Sequence, residues 1–413
     1  MAAKSILFFI ILTSLAYTSM EMGGNHWTRF RGEQGMGIDT GRVAPTSWAK
    51  TDYLWNIDLP GTGHASPVVW KDLIFVSSSD DEKDLGYLMA VNEKTGELLW
   101  QKEFRVSDLT MHTDNNLAAP SPAVDEFHVY IIWYSQEKTN LYALSHEGEL
   151  KWQAEFAGIE ARHGGGSSLV LTQQLVIFTR EQEEPSSLTS SWVAVHKHSG
   201  EVAWELERES AARNSFSTPV LLRGADTRPQ LLFTSEAHGF TAMDPGSGKI
   251  LWERKSLLTH RVVASPVYAN ERIIACRKGE AVVLEVDYNI RPVADTALYT
   301  LPPNLSPYVP TPIVVGEQLY LFLDNGSVAC LKLSDGELLW KERPAGPIYG
   351  SPICVNGNLY CITKAGSVIV LKAQASFELL GIFELGEQSF STPVMSNSGM
   401  VFRTFTRLMM LPS

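Results

Sequence analysis

The chain has 413 residues, of which 44% are hydrophobic and 19% charged, so it can bury a core and is not expected to be disordered. Its formal net charge is -12, from 34 basic and 46 acidic residues, and no long Lys/Arg run interrupts this balance. A protein that follows nucleic-acid phosphates needs a basic stripe, so the composition argues against nucleic acid as a partner.

Residues 1–18 have the pattern of a secretory signal peptide. Lys4 precedes the apolar run Ile6 to Leu12, small residues follow, and the run is too short to span a bilayer. We therefore expect cleavage and export to the periplasm or the cell exterior; the alternative is an uncleaved membrane anchor. Residues 19–52 are then an N-terminal extension, and residues 53–413 form the folded domain.

The cysteine spacing gives no metal or redox motif. There is no Cys-x-x-Cys and no adjacent pair among the four cysteines. Cys354 and Cys361 flank the turn Asn356-Gly357, and a hairpin there places them as diagonal neighbours, at the far edge of disulfide geometry. Buried apolar cysteines are favoured over a disulfide.

One phrase recurs along the chain: a strand end, a tight turn with glycine, a new strand and a large aromatic residue. Ala90 to Trp100 is its first copy, and a recurrence at this period indicates a solenoid, propeller or array. The tryptophans that end the copies are Trp100, Trp152, Trp204, Trp252 and Trp340. A flat indole at the start of an outer strand is interpreted as a spacer between neighbouring blades, that is, as a structural docking motif.

A second marker lies between these phrases and starts an apolar strand. It is Ser or Thr followed by Pro, with Leu in place of Pro once, and it begins at Ser66, Ser121, Ser168, Thr218, Ser265, Thr311, Ser351 and Thr392. Proline is tolerated at the first position of a strand because it need not donate there. Each unit has room for four strands, so the pattern predicts an all-β, eight-bladed β-propeller of four-stranded blades. Two β-sandwiches are the alternative.

The two ends of the chain predict how the ring closes. The last unit, from Ser391 to Ser413, has room for only three strands. The segment Tyr53 to Leu59 precedes the first marker and has the pattern of a lone fourth strand. Pairing these ends removes the exposed edges of an open ring, so the N-terminal strand is expected to complete the last blade.

The repeated phrase resembles the docking motif of pyrroloquinoline-quinone (PQQ) repeat propellers. This family includes the PQQ-dependent alcohol dehydrogenases and the outer-membrane assembly factor B type lipoproteins. The opening Trp27-Thr28-Arg29-Phe30-Arg31-Gly32 is similar to that of exported PQQ-like propellers common in planctomycete-type bacteria, and Arg403-Thr404 also fits that subgroup. The resemblance covers nearly everything after the signal segment, and it is specific for fold rather than for function.

Membership among the dehydrogenases would imply PQQ above a bound Ca²⁺, with an Asp as general base. Those enzymes resemble one another in a vicinal Cys pair beneath the cofactor, and this chain has none. Ca²⁺ also needs several oxygen ligands in one place, and no clustered acidic loop offers them. We therefore predict no catalytic residue, metal or cofactor, and keep PQQ with Ca²⁺ as the alternative.

In a propeller, the segments that lead into the innermost strands converge on one mouth of the central channel. Here they are polar and aromatic, and they predict a funnel that could hold an anion or a peptide segment. The candidates are His64, Asn115, Arg162, His163, Arg213, Asn214, His260, Arg261, Tyr308 and Tyr349. The simpler interpretation is that these groups hydrogen-bond one another and channel water.

Three hypotheses follow. The first is a non-catalytic, exported scaffold that binds a protein or cell-envelope component as a monomer. The second is a PQQ-dependent oxidoreductase acting on alcohols or sugars. The third is a module that binds a sugar or another polymer.

Overall fold

A computed structural model describes residues 26–106, 111–223 and 228–413. The expected signal peptide lies outside the described residues. Within them the chain is almost entirely β-structure, with two short 3₁₀ helices at Lys255–Leu257 and Pro303–Leu305. No helix in these ranges is long and apolar enough to cross a membrane.

The strands form eight antiparallel sheets that follow one another along the chain, which confirms the predicted eight-bladed propeller. The first four blades contain Val68–Trp70, Leu73–Asp80, Leu85–Asn92 and Leu98–Arg105; Ala123–Val124, Val129–Tyr134, Lys138–Leu144 and Leu150–Ala157; Val170–Leu171, Leu175–Arg180, Ser190–His196 and Val202–Arg208; and Val220–Leu222, Gln230–Ser235, Gly239–Met243 and Ile250–Arg254. The last four contain Val267–Ala269, Arg272–Arg277, Glu280–Glu285 and Tyr299–Leu301; Ile313–Val315, Gln318–Phe322, Val328–Lys332 and Leu338–Glu342; Ile353–Val355, Asn358–Ile362, Ser367–Lys372 and Leu379–Glu384; and Val394–Met395, Gly399–Arg403, Arg407–Pro412 and Trp55–Asp58. We number these blades 1 to 8 in this order.

Blade 8 takes its outer strand from the other end of the chain. Trp55–Asp58 pairs antiparallel with Arg407–Pro412, and Trp55 lies opposite Met410. The sequence predicted this closure from the missing fourth strand. Since both termini contribute to one sheet, the ring has no open edge at its seam.

The core lies between blades rather than inside any one of them. Every residue of Val129–Tyr134 is buried, because this second strand of blade 2 has a neighbouring blade on each face. Val68 and Phe75 of blade 1 pack with Val129 and Ile131 in one apolar cluster. The outer strand Leu150–Ala157 instead mixes exposed and buried positions, since it forms the outer surface.

The repeated tryptophans join each blade to the next. Trp100 Nε1 of blade 1 donates a 2.7 Å hydrogen bond to the carbonyl of His146 in a turn of blade 2. A Cβ atom on Gly148, in that same turn, would lie 2.8 Å from Cδ2 of Trp100, so only glycine permits the contact. The same indole-to-carbonyl bond is made by Trp55 to Glu93, Trp152 to Lys197, Trp204 to Pro245, Trp252 to Ile290 and Trp340 to Gln374.

Blade 5 lacks the tryptophan, and a tyrosine takes its place. Tyr299 Oη donates to the carbonyl of Leu333 at 2.8 Å, and Gly336 approaches the ring as the other glycines approach indoles. In blade 7, Phe383 stacks on Trp48 from the N-terminal segment, with ring centroids 3.9 Å apart. Tyr299 can therefore replace tryptophan in joining two blades, whereas Phe383 packs on the N-terminal segment.

Residues 26–39 cross the channel next to the starts of the inner strands of blades 4 and 6. His26–Trp27 adds a strand to blade 1, and Ile38–Asp39 adds a parallel strand to blade 7. Between them, Arg29 donates to the carbonyl of Pro219 in blade 4, and Arg31 to that of Pro312 in blade 6. A segment with partners on opposite sides of the ring must lie across its axis. Burial lowers the pKa of Arg29 to about 10 and of Arg31 to about 9, so both remain charged at neutral pH.

Candidate funnel at the channel mouth

The eight Ser/Thr residues that begin the inner strands form a closed ring of hydrogen bonds. Each hydroxyl accepts the backbone N–H of the matching residue in the preceding blade, at 2.9 to 3.1 Å. Thr392 of blade 8 closes the circle by donating its N–H to Ser66 of blade 1. All eight residues are buried and line one cavity of about 420 Å³.

A second tier of side chains lies above this ring. Side chains alternate along an extended chain, so the residue two positions before each Ser/Thr also faces the channel. The tier consists of His64, Ala119, Gly166, Phe216, Val263, Val309, Tyr349 and Phe390, and all of them line the cavity. It is aromatic on blades 7, 8 and 1, where the rings of Tyr349, Phe390 and His64 are neighbours, and again on blade 4 at Phe216.

The entry loops supply a third, charged tier. It contains His112, Asp114, Asn115, His163, Arg213, Arg261 and Tyr308, joined by Lys278 from a turn between two strands of blade 5. Phe30 of the N-terminal segment also reaches the cavity. We call the cavity formed by these tiers and the hydroxyl ring the funnel.

Seven of the ten sequence-predicted funnel residues line the cavity: His64, Asn115, His163, Arg213, Arg261, Tyr308 and Tyr349. Arg162, Asn214 and His260 do not. Each of these three is adjacent in sequence to a residue that does, and all three pairs lie in or beside a turn or bend, where successive side chains point in different directions. Arg162 is solvent-exposed and binds Glu183, Asn214 is buried and donates to the carbonyl of Gly164, and His260 is exposed.

Several residues that line the cavity were not predicted from the sequence. Phe216 and Phe390 occupy the same position relative to the marker as His64, so aligning the eight markers would have found them. Lys278 lies in a turn between strands rather than in an entry segment, and only the blade topology places that turn at the mouth. Phe30 depends on the long-range path of the N-terminal segment.

Asp114 is the one carboxylate among the described residues that line the cavity, and its charge is already compensated. Its Oδ2 accepts from Tyr349 Oη at 2.9 Å, and its Oδ1 accepts from Lys364 Nζ at 3.1 Å. Burial opposes ionisation of Asp114, but these two bonds hold its pKa below the ordinary value. Lys364 Nζ also lies 4.3 Å from the Tyr349 ring and 4.9 Å from that of Phe390.

Two histidines of the funnel, His64 and His163, have a lowered pKa. Burial first, and the charge of Arg403 second, lower the pKa of His64 to about 3. The pKa of His163 is lowered by burial and then by the nearby Arg261. His64 is therefore neutral at neutral pH and can both donate and accept a hydrogen bond.

Arg261 is fixed by a buried ion pair. Its Nη2 binds Oε1 of Glu183 at 3.1 Å, and the two side chains are 7% and 3% exposed. Because this pair is out of water, Arg261 is held in one position against the cavity wall. Its guanidinium also lies 5.8 Å from the ring of Phe216.

The eight-bladed ring, with its tryptophan–glycine contacts and a funnel at one mouth, defines a PQQ-repeat β-propeller. A family model described as outer membrane protein assembly factor BamB matches residues 39–162, 86–289 and 295–376. The chain belongs to this family.

The named relatives agree with this placement. Outer membrane protein assembly factor BamB of Yersinia pestis is 23% identical over 325 residues, which span 76% of this chain and 66% of that protein, slightly less than two thirds of its length. BamB from Moraxella catarrhalis has a similar structure, with a TM-score of 0.62 and 14% identity over 87% of this chain and 97% of that one. A europium-containing methanol dehydrogenase reaches a TM-score of 0.71 at 9% identity, over 92% of this chain and 90% of its own. At these identities the solved structures establish the fold alone.

The funnel residues do not fit PQQ bound above Ca²⁺. The one lining carboxylate, Asp114, is engaged by Lys364 and Tyr349, whereas Ca²⁺ needs several oxygen ligands. Among the described residues, no group of three or more His, Cys, Asp or Glu side chains is placed to hold a metal ion. The four cysteines are separate buried thiols, and none lines the cavity.

Proposed function

We propose that this protein is exported to the cell envelope and acts there as a non-catalytic scaffold, binding a protein component of the envelope through the funnel. The observation that carries this proposal is the preformed cavity of about 420 Å³ at one mouth of a BamB-family propeller. Preformed concave sites with a few convergent polar groups are where proteins bind their ligands.

Two further observations support a binding role over a catalytic one. The funnel offers cations, hydroxyls and aromatic rings, but its carboxylate and its buried arginine are already paired. The family relative from Yersinia pestis is by name an assembly factor for outer membrane proteins. A monomeric scaffold for a protein of the envelope fits both.

The test is recovery of a stoichiometric complex from cells of the source organism, using a tagged full-length protein. His163→Ala and Arg213→Ala change the funnel, whereas Lys94→Ala changes an exposed turn at the opposite end of blade 1. We expect the wild type and Lys94→Ala to retain the same envelope protein, and the funnel variants to retain less. Equal recovery with all four proteins would show that the funnel is not the binding surface.

The alternative of a PQQ-dependent oxidoreductase has its own test. PQQ and Ca²⁺ are added to the purified protein, and quinone absorbance and dye-linked alcohol oxidation are measured. We expect neither at roughly micromolar PQQ. Tight binding with alcohol oxidation would replace the scaffold proposal.

A further inference from the structure

The floor of the funnel carries an excess of hydrogen-bond donors. Each of the eight ring hydroxyls accepts one backbone N–H, and none donates its proton to an acceptor among the described residues. Ser66 and Thr311 are each 2% exposed, and the other six are 2% to 4% exposed. A hydroxyl has one proton to donate, so each ring residue can donate to a molecule held in the cavity that it lines.

Two cations add to this excess on one side of the cavity. Arg213 and Lys278 line it, and neither forms a salt bridge with a described residue. The lining carboxylate, Asp114, is on the other side of the mouth and is bound to Lys364. The wall formed by blades 4 and 5 is therefore positive, in a chain whose net charge is -12.

Most of the second tier is apolar. Phe216, Val263 and Val309 stand in the second tier beside the two cations, and Phe390 stands opposite them. Phe30 enters from the N-terminal segment. Rings and branched side chains at this level favour a ligand with a flat apolar part, since contact with that part removes both surfaces from water.

We propose that the chemical group recognised by the funnel is an organic oxyanion, a carboxylate or a phosphate ester attached to an apolar ring, bound without a metal ion. The oxyanion lies between Arg213 and Lys278 and accepts from the ring hydroxyls below them. The apolar part lies against Phe216 and Phe390. This inference rests on the proposed function, because it names the chemistry that the binding surface recognises.

The test is calorimetric titration of the full-length protein with three probes of matched shape: phenyl phosphate, benzoate and the neutral benzamide. We expect one or both anions to bind with one-to-one stoichiometry, and benzamide to bind roughly tenfold more weakly or not at all. Phenyl phosphate and benzoate separate a phosphate ester from a carboxylate as the preferred group. The affinity of the anion should fall as salt is raised.

Arg213 and Lys278 are exposed, so both can be replaced with little effect on the packing of the core. Arg213→Gln with Lys278→Gln should weaken anion binding by about tenfold or more, because both charges act on the same ligand. Lys102→Gln, on the exposed outer strand of blade 1, is the matched control and should bind as the wild type does. Thermal unfolding of each variant verifies that the ring is intact.

Failure to bind either anion at about 10 mM, equal binding of benzamide, or an unchanged affinity in the double variant would each overturn the inference. Its failure is distinguishable from failure of the proposed function. If His163→Ala reduces recovery of the envelope protein but Arg213→Gln with Lys278→Gln does not, the scaffold proposal is retained and the oxyanion site is rejected. If the wild-type protein recovers no envelope protein, the scaffold proposal itself is rejected.

Discussion

The backbone N–H of Thr392 donates a 3.1 Å hydrogen bond to Oγ of Ser66, across 326 residues of sequence. This bond closes the circle of eight hydroxyls at the point where the two ends of the chain meet. The same joint is made on the outside by Trp55–Asp58 against Arg407–Pro412. The two ends of the chain are therefore joined at two places, by a hydrogen bond at the channel and by strand pairing at the outer edge of the ring.

Ser66→Ala tests the contribution of the hydrogen bond at the channel to stability. It leaves the buried N–H of Thr392 without an acceptor, which should lower the free energy of unfolding by about 1–3 kcal/mol. Ser66→Thr keeps a hydroxyl, as at the Thr positions of the ring, and should cost less. Urea denaturation followed by tryptophan fluorescence measures both midpoints. Equal stability of Ser66→Ala and the wild type would show that the ring bond adds nothing.

Two glycines in one turn provide a test of the blade contacts. Gly248 has φ +70°, and an added Cβ would lie 2.8 Å from Cδ2 of Trp204. Gly248→Ala is therefore destabilised both by an unfavourable backbone conformation and by a steric clash with the indole. We expect a loss of at least about 1 kcal/mol in the free energy of unfolding. Gly246 lies two residues earlier, and its added Cβ would approach nothing closer than 3.4 Å. Gly246→Ala should therefore leave the urea midpoint nearly unchanged, and a matching loss there would contradict the packing argument.

Glu183→Gln tests the buried ion pair that fixes Arg261. The change leaves a buried guanidinium without its carboxylate, and we expect the protein to lose about 3 kcal/mol of stability. The exposed pair Lys138–Glu155, whose Nζ–Oε2 distance is 2.9 Å, is the control. Glu155→Gln should have no measurable effect on the thermal midpoint, since solvent screens exposed pairs. If both variants behave alike, Glu183 does not fix Arg261.

His64 makes stability depend on pH with a defined sign. Its folded-state pKa, about 3, is below the ordinary value of 6.5, so the unfolded chain binds one more proton between these two values. The protein should lose stability as the pH falls from about 6.5 towards 3. His64→Asn removes this titration and should reduce the drop in thermal midpoint between mildly alkaline and acidic buffer. His196→Asn, at an exposed turn, should keep the full drop; a reduced drop there instead would assign the effect elsewhere.

The sequence predicted most of the fold because blade packing is local and repeated. Each Gly–Trp phrase and each Ser/Thr marker predicts one blade from residues within that blade. The missing fourth strand near Ser413 predicted that the N-terminal strand completes the last blade. The crossing of the channel by Arg29 and Arg31 could not be predicted, since its partners Pro219 and Pro312 are far away in sequence.

The funnel was only partly predictable, for a different reason. Polar residues in the entry segments indicated where the mouth lies, but not which way each side chain points. In the pairs Arg162–His163, Arg213–Asn214 and His260–Arg261, one member lines the cavity and the other does not. These pairs lie in or beside turns and bends, where the alternation of a strand does not apply, whereas counting back two positions from each Ser/Thr marker would have identified the second tier.

The central claim is that the funnel mouth is the binding surface of this protein. Photo-crosslinking tests it most directly, with a photoreactive residue placed at position 112, which is exposed and lines the cavity, or at position 94 on the opposite face. In cells of the source organism, we predict a crosslink to one envelope protein from position 112 and none from position 94. Crosslinks from position 94 alone, or equally from both, would contradict the claim.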